Sequence, residues 1–190
     1  MKSLKWRVWL AALALIPAMS SAAQEPAAEK LNFGGVPENF ELGFKDDKGG
    51  TTTMMEFVPK GQTVEDWQEM ITLNIIPGKR ANLAQVRQFI SSGWQKACPG
   101  GGVTNIREGR ENGYPFALWQ MTCQNNPQTG KPEFTWVKMM EGGNGLYSVQ
   151  YAFRHVPDKQ EVTRAVTYLR DNLGLCDTRP GESKKHPCRK

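Results

Sequence analysis

Polar and apolar residues change rhythm several times along this chain. Between Tyr114 and Arg154, apolar residues crowd both alternating positions, with breaks at 125–132 and from Gly142 to Gly145. Three consecutive strands are expected there: Tyr114–Gln124, Glu133–Glu141 and Leu146–Arg154. Gly142, Gly143, Asn144 and Gly145 accept the positive φ of a tight hairpin turn. A sheet that is apolar on both faces needs cover on both sides.

Upstream, Phe40 to Lys45 alternates apolar and polar, the rhythm of a half-buried strand. Asp46 to Gly50 is turn chemistry and Thr51 to Val58 a second strand, so the two form a hairpin. Thr63 to Trp67 carries capping-box spacing between Thr63 and Asp66, which predicts one helical turn. Met70 to Ile76 is dense in β-branched residues and stops at Pro77 and Gly78, as a strand would.

The rhythm then lengthens. Leu83, Val86, Ile90, Trp94 and Ala97 step by three or four, one face of a helix from Asn82 to Ala97, with Phe89 widening the stripe. Asn82 supplies the cap, and Pro99 to Gly102 stops the helix. Val103 to Gly113 is polar and extended, the character of an edge strand. Asp158 and Glu161 open a second helix, whose buried stripe is Val162, Ala165, Val166, Leu169 and Leu173 and whose end is Gly174. From Cys176 to Lys190 there is no apolar pattern. That tail reads as a solvated loop, and deleting 176–190 is expected to leave the melting temperature within a few degrees. The element order predicts an α+β fold: an antiparallel sheet of about six to seven strands covered by two main helices, in one domain over 31–175.

The first 23 residues change the picture of charge. Lys2, Lys5 and Arg7 precede an apolar run from Val8 to Ile16, and Ser21, Ala22 and Ala23 supply a small-residue cleavage site: a secretory signal peptide. The run is too short for the roughly 20 residues of a membrane-spanning helix. Residues 24–30 read as a mobile leader. The full chain has net charge +5. Without the three cations of the signal it is +2, and the tail holds +3 of that, so the body is close to neutral. That distribution argues against a nucleic-acid binder. A periplasmic or secreted location is expected.

Four cysteines follow the signal, an even count in an exported chain. Three pairings are possible. Cys98–Cys123 and Cys176–Cys188 are expected because each closes a local segment. A zinc site from Cys176, His186 and Cys188 would lack a fourth ligand and matches no finger spacing. No metal or other cofactor is expected.

Candidate chemistry is sparse. The two histidines, His155 and His186, sit in no recognisable nucleophile or metal motif. Glu56, Glu65, Asp66 and Glu69 could form a glycosidase couple only if two converged in a cleft. The chain is read as having no catalytic residues. The aromatics Trp67, Trp119, Trp136 and Tyr151 are the candidate contacts for a ligand or partner. Core packing is the competing role for them. Function is expected at the sheet's edges and loops, around 125–132 or near Trp67.

The stretch from Met54 to Ile76 resembles a pattern in small exported proteins of Gram-negative bacteria. In it a strand ends at Glu56, Phe57, Val58 and Pro59, a capped turn carries Trp67, and Glu69, Met70, Ile71 and Thr72 open the next strand. With the element order over 31–175, the chain is similar to the PsbP-like and DcrB-like α/β/α sandwiches. The resemblance implies an exported, non-enzymatic accessory or binding domain for another envelope component. The alternative is a small apolar or sugar ligand held by strand aromatics, and a hydrolase is the third reading.

Overall fold

The computed structural model describes residues 29–47, 52–78 and 82–188. The expected signal peptide, most of the expected leader and the tip of the first hairpin lie outside them. The elements are β1 (Glu29–Phe33), β2 (Phe40–Asp47), β3 (Thr53–Pro59), β4 (Glu69–Pro77), α1 (Leu83–Ala97), β5 (Gly102–Glu111), β6 (Tyr114–Cys123), β7 (Glu133–Glu141), β8 (Gly145–Phe153), α2 (Lys159–Asp171), β9 (Leu173–Asp177) and α3 (Glu182–Lys185). Seven strands form one sheet in the order β2-β3-β4-β8-β7-β6-β5, and every neighbouring pair is antiparallel. The α+β reading and the strand count hold.

The two apolar faces of β6, β7 and β8 are covered by different helices. Ala117, Trp119, Met121, Val137 and Met139 pack with Leu83, Val86, Ile90 and Trp94 of α1. Phe116, Leu118, Trp136, Tyr151 and Phe153 pack with Ala165, Tyr168 and Leu169 of α2. Period-two alternation makes this division possible, since successive side chains leave opposite faces. Trp67, with Val58, Met70 and Ala152, forms a third small core on the loop between β3 and β4.

Both helix caps form as their sequences require. Asn82 accepts from the backbone N–H groups of Ala84 and Gln85, and Asp158 makes a full capping box with Glu161. Phe89 is a correction. It is 81% exposed, because at about 100° per residue it falls well round the helix from the line through Leu83, Val86 and Ile90. The turn expected at Thr63 also differs. Thr63 Oγ1 accepts from Asp66 N at 3.2 Å, but no helix follows, and the segment to Trp67 is a bend.

The ends of the domain depart most from expectation. β1 pairs antiparallel with β9, from Glu29↔Asp177 to Phe33↔Leu173. Glu29 and Lys30, placed in a mobile leader by the sequence, are therefore strand, and Glu29 is buried. Leu173 and Gly174, expected to end a helix, begin a strand instead. The tail is not a free loop. His186 packs on Tyr114 with ring centroids 4.5 Å apart, and its Nδ1 lies 2.7 Å from Asn112 O. Asn112 Nδ2 donates to Leu175 O and Pro187 O. The β5–β6 turn, with Asn112 at φ 50° and Gly113 at φ 84°, is the tail's dock. A Cβ at Gly113 would strike the His186 ring.

Candidate functional site

The sequence of α1 makes it a helix that is held rather than buried. Its apolar stripe is only half covered, and none of its residues is fully buried. Side-chain contacts fix both of its ends. At the N-terminus Leu83 N donates to Glu141 Oε2 of β7 at 3.2 Å. At the C-terminus Trp94 Nε1 donates to Thr122 O at 3.1 Å, and the Cys98–Cys123 disulfide joins the helix end to β6 with a Cα–Cα distance of 5.9 Å. Between these pins, α1 runs beside the edge strand β5, whose Val103 packs against the same apolar cluster.

β5 is polar, and a bulge at Ile106 breaks its register with β6 between Asn105 and Arg107. Bulges re-aim side chains at sheet edges. Here the shift leaves Asn105 and Glu108 on the α1 side. Arg87 crosses from the helix to meet them: its Nη1 donates to Asn105 Oδ1 at 3.0 Å and pairs with Glu108. That bridge divides a groove. On one side is a hollow of about 470 Å³ lined by Asn82, Gln85, Gln88, Ser91, Asn105 and the edge of Trp119. On the other is one of about 190 Å³, lined by Leu83, Gly109, Phe116 and Ala117. Ala84 and Arg87 border both. The larger hollow is within the range of roughly 300–1,000 Å³ typical of small-molecule sites.

The groove's chemistry is that of side-chain amides, one hydroxyl and one internal ion pair. Asn82 spends its oxygen on the helix cap, and Asn105 spends its oxygen on Arg87, so each keeps its N–H₂ donors. Trp119 borders the groove, and its indole N–H is buried with no acceptor among the described residues. A buried donor without a partner is an unfavourable group. A further hollow of about 600 Å³ runs along Lys159, Thr163, Arg164 and Thr167, but its described wall is a single convex helix.

The four aromatic candidates are separated. Trp136 and Tyr151 lie in the core under α2, at 2% and 0% exposure. Trp136 sits edge-on to Phe153. The Tyr151 hydroxyl donates to Glu69 Oε2 at 2.7 Å. Trp67 is buried, with the Arg154 guanidinium 4.1 Å from its ring centroid. Of the four, Trp119 alone borders the groove. Trp67, Trp136 and Tyr151 are packed in cores, and Trp119, 0% exposed, is packed under α1 as well.

Both expected disulfides are present. Among the described residues no group of three or more His, Cys, Asp or Glu could hold a metal ion. Two of the carboxylates weighed as a catalytic couple, Asp66 and Glu69, go to other partners. Asp66 pairs with Lys131 at 2.9 Å, which joins the loops 60–68 and 125–132, and that bond draws the Asp66 pKa below the ordinary value. Glu69 is held by Arg164 at 3.0 Å. Burial alone raises the pKa of Glu56. His155 bonds Glu161 at 3.0 Å, a helix-capping position. The sequence did not point to Arg87, Asn105 or Gln88. The available signal was that the polar side of an otherwise amphipathic helix precedes an unusually polar strand.

A family model matches residues 27–174. The chain belongs to that family. The match ends before Cys176 and the docked tail. Among solved structures the family member described here is similar to LpqN of Mycobacterium tuberculosis, a protein described as involved in cell envelope biogenesis. The two are 13% identical over 80% of this chain and 87% of that one, with a TM-score of 0.51. That degree of likeness speaks to the fold. No curated protein matches the chain in sequence.

Proposed function

We propose that this chain is an exported, non-enzymatic accessory or binding domain of the cell envelope, and that it holds its ligand or partner in the groove between α1 and β5. The observation that carries the reading is the preformed hollow of about 470 Å³ under a helix pinned at both ends. Preorganisation of this kind lowers the ordering cost of binding. Amides, a hydroxyl and a neutralised Arg87–Glu108 pair recognise uncharged polar groups and do not shuttle protons near neutral pH. Two disulfides favour an oxidising compartment. Among the described residues no helix is long and apolar enough to cross a membrane. The likeness to an envelope-biogenesis protein supports the same setting, and the seven-stranded sheet between two helices is compatible with the PsbP-like/DcrB-like class.

The test is photocrosslinking in the cells that make the protein. A photoreactive side chain in place of Gln88 should capture an envelope component, and Ala84→Trp, which fills the groove from an exposed position, should abolish the adduct. Equal capture from Thr163 on α2, or capture unaffected by Ala84→Trp, would refute the groove.

A further inference from the structure

The two disulfides differ in what surrounds them. Cys98 and Cys123 are both buried, at 5% and 0% exposure. Cys176 is also buried, at 3%, but its partner Cys188 is exposed. Thiol–disulfide exchange requires an incoming thiolate to reach one sulfur and expel the other. Access therefore separates the two bonds: the first is closed to attack from either end, and the second is open at Cys188.

We propose that Cys176–Cys188 is a thiol-exchange site, and that its opening by a dithiol reductant unlatches the C-terminal tail while Cys98–Cys123 and the sheet stay intact. In the first step a thiolate of the reductant bonds to the Cys188 sulfur, the Cys176–Cys188 bond breaks, and Cys176 leaves as a thiolate that takes up a proton. In the second, the reductant's other thiolate attacks the mixed disulfide. Cys188 is released as a thiol and the reductant leaves oxidised by two electrons. Lys30 is the register partner of Cys176 in the β1–β9 ladder.

The bond closes a segment with a sequence separation of 12. Without it the tail depends on few noncovalent contacts. Among the described ones are the ion pair of Arg179 with Asp177, Asp177 N to His186 O at 2.8 Å, Asn112 Nδ2 to Pro187 O at 3.1 Å, and the His186 ring against Tyr114 and Asn112. The Asn112–Pro187 bond is exposed and the His186–Asn112 contact is half-buried. Release would bare the Tyr114 ring, the Asn112–Gly113 turn and the edge of β9 at Asp177. It would also open the hollow of about 260 Å³ that Pro187 closes over Asn32, Glu111 and Leu175. An uncovered strand edge is a site for strand pairing, so the latch would control whether that edge can be paired.

The experiment uses the oxidised chain in a graded series of dithiothreitol, followed by alkylation, peptide mass mapping and brief trypsin treatment. Cys176 and Cys188 should be alkylated at least about tenfold faster than Cys98 and Cys123. Cleavage at Lys184 and Lys185 should rise in step with that alkylation, while the far-UV spectrum stays unchanged. The double variant Cys176→Ser, Cys188→Ser should show the same tail cleavage without reductant. Equal reduction of both bonds, earlier reduction of Cys98–Cys123, a tail that stays protected after Cys188 is alkylated, or loss of the folded spectrum on opening of the tail bond would each overturn the proposal.

Discussion

The carboxylate of Glu29 accepts a hydrogen bond from the backbone N–H of Gly143 at 2.7 Å. A second comes from Asn144 N at 3.2 Å. The first strand of the domain is thereby tied to the β7–β8 turn, 114 residues further along the chain. Gly142 makes room for it, since a Cβ there would collide with the carboxylate. Gly142→Ala should therefore destabilise the domain even though the turn itself tolerates alanine. Displacing the carboxylate leaves Glu29 buried without its donors, a loss of about 1–3 kcal/mol. Urea unfolding of Gly142→Ala beside Glu29→Gln checks this. If Gly142→Ala costs nothing, Glu29 is not the anchor.

Lys138 should be more sensitive than any surface cation. It is 1% exposed on the α2 face of β7, with its ammonium 2.8 Å from Glu111 and 2.7 Å from Leu173 O. It ties the edge strand β5 to the segment that follows α2. Lys138→Met leaves a half-buried carboxylate and a carbonyl without their cation, which should remove about 3–5 kcal/mol. Adding Glu111→Leu should restore part of that loss. A double variant no better than the single would show that the pair is not the cause.

Every tyrosine of the chain is shifted in the same direction. Tyr114 is pushed up to about 12, first by burial and then by the nearby Glu29 and Asp177 carboxylates. Burial likewise raises Tyr147, Tyr151 and Tyr168 still further. These four are all the tyrosines present. A raised folded pKa gives stability that is complete below the unfolded value near 10 and is lost as pH rises through the folded value. Tyrosinate absorbance should thus stay flat through pH 10 and appear above about 11 together with unfolding. A quarter or more of the signal appearing near pH 10 in folded protein would contradict the burial argument.

The tail should contribute to stability, contrary to what its composition implies. Deleting 179–190 together with Cys176→Ser removes the disulfide and the His186 contact with Tyr114. The loss should be roughly 3 kcal/mol, or a fall in melting temperature of about 5–10 °C for a chain of this size. An unchanged melting temperature would support the solvated-loop reading.

The centre of this fold was legible in the sequence because its rhythm is strong. Tyr114 to Phe153 is apolar at both parities, and the chain places a helix on each side of it. Asn82, Asp158 and Glu161 announce their caps by spacing alone. The ends were not legible. β1 and β9 are five residues each, and neither has an alternation that marks a strand until the other lies beside it. The tail's dock depends on Gly113 and His186 meeting, a contact 73 positions apart with no local sign. The groove escaped for a similar reason. Arg87 and Asn105 are ordinary polar residues on their own elements. Only the bulge at Ile106 turns Asn105 and Glu108 toward the helix. Trp136 and Tyr151 have the residue types of a binding face but sit in the core.

The groove reading is tested most directly through Trp119, which borders the groove and whose buried indole N–H has no acceptor among the described residues. In a ¹⁵N-labelled sample titrated with a soluble extract of envelope material from the producing cells, the Trp119 indole resonance should move together with the backbone signals of Asn82 to Ser91 and of Val103 to Asn105. The Trp136 indole, buried under α2, should not move. Ala84→Trp should abolish the shifts while leaving the Trp136 signal in place. Shifts confined to α2 or to the loops around Trp67, or shifts that persist in Ala84→Trp, would contradict the account.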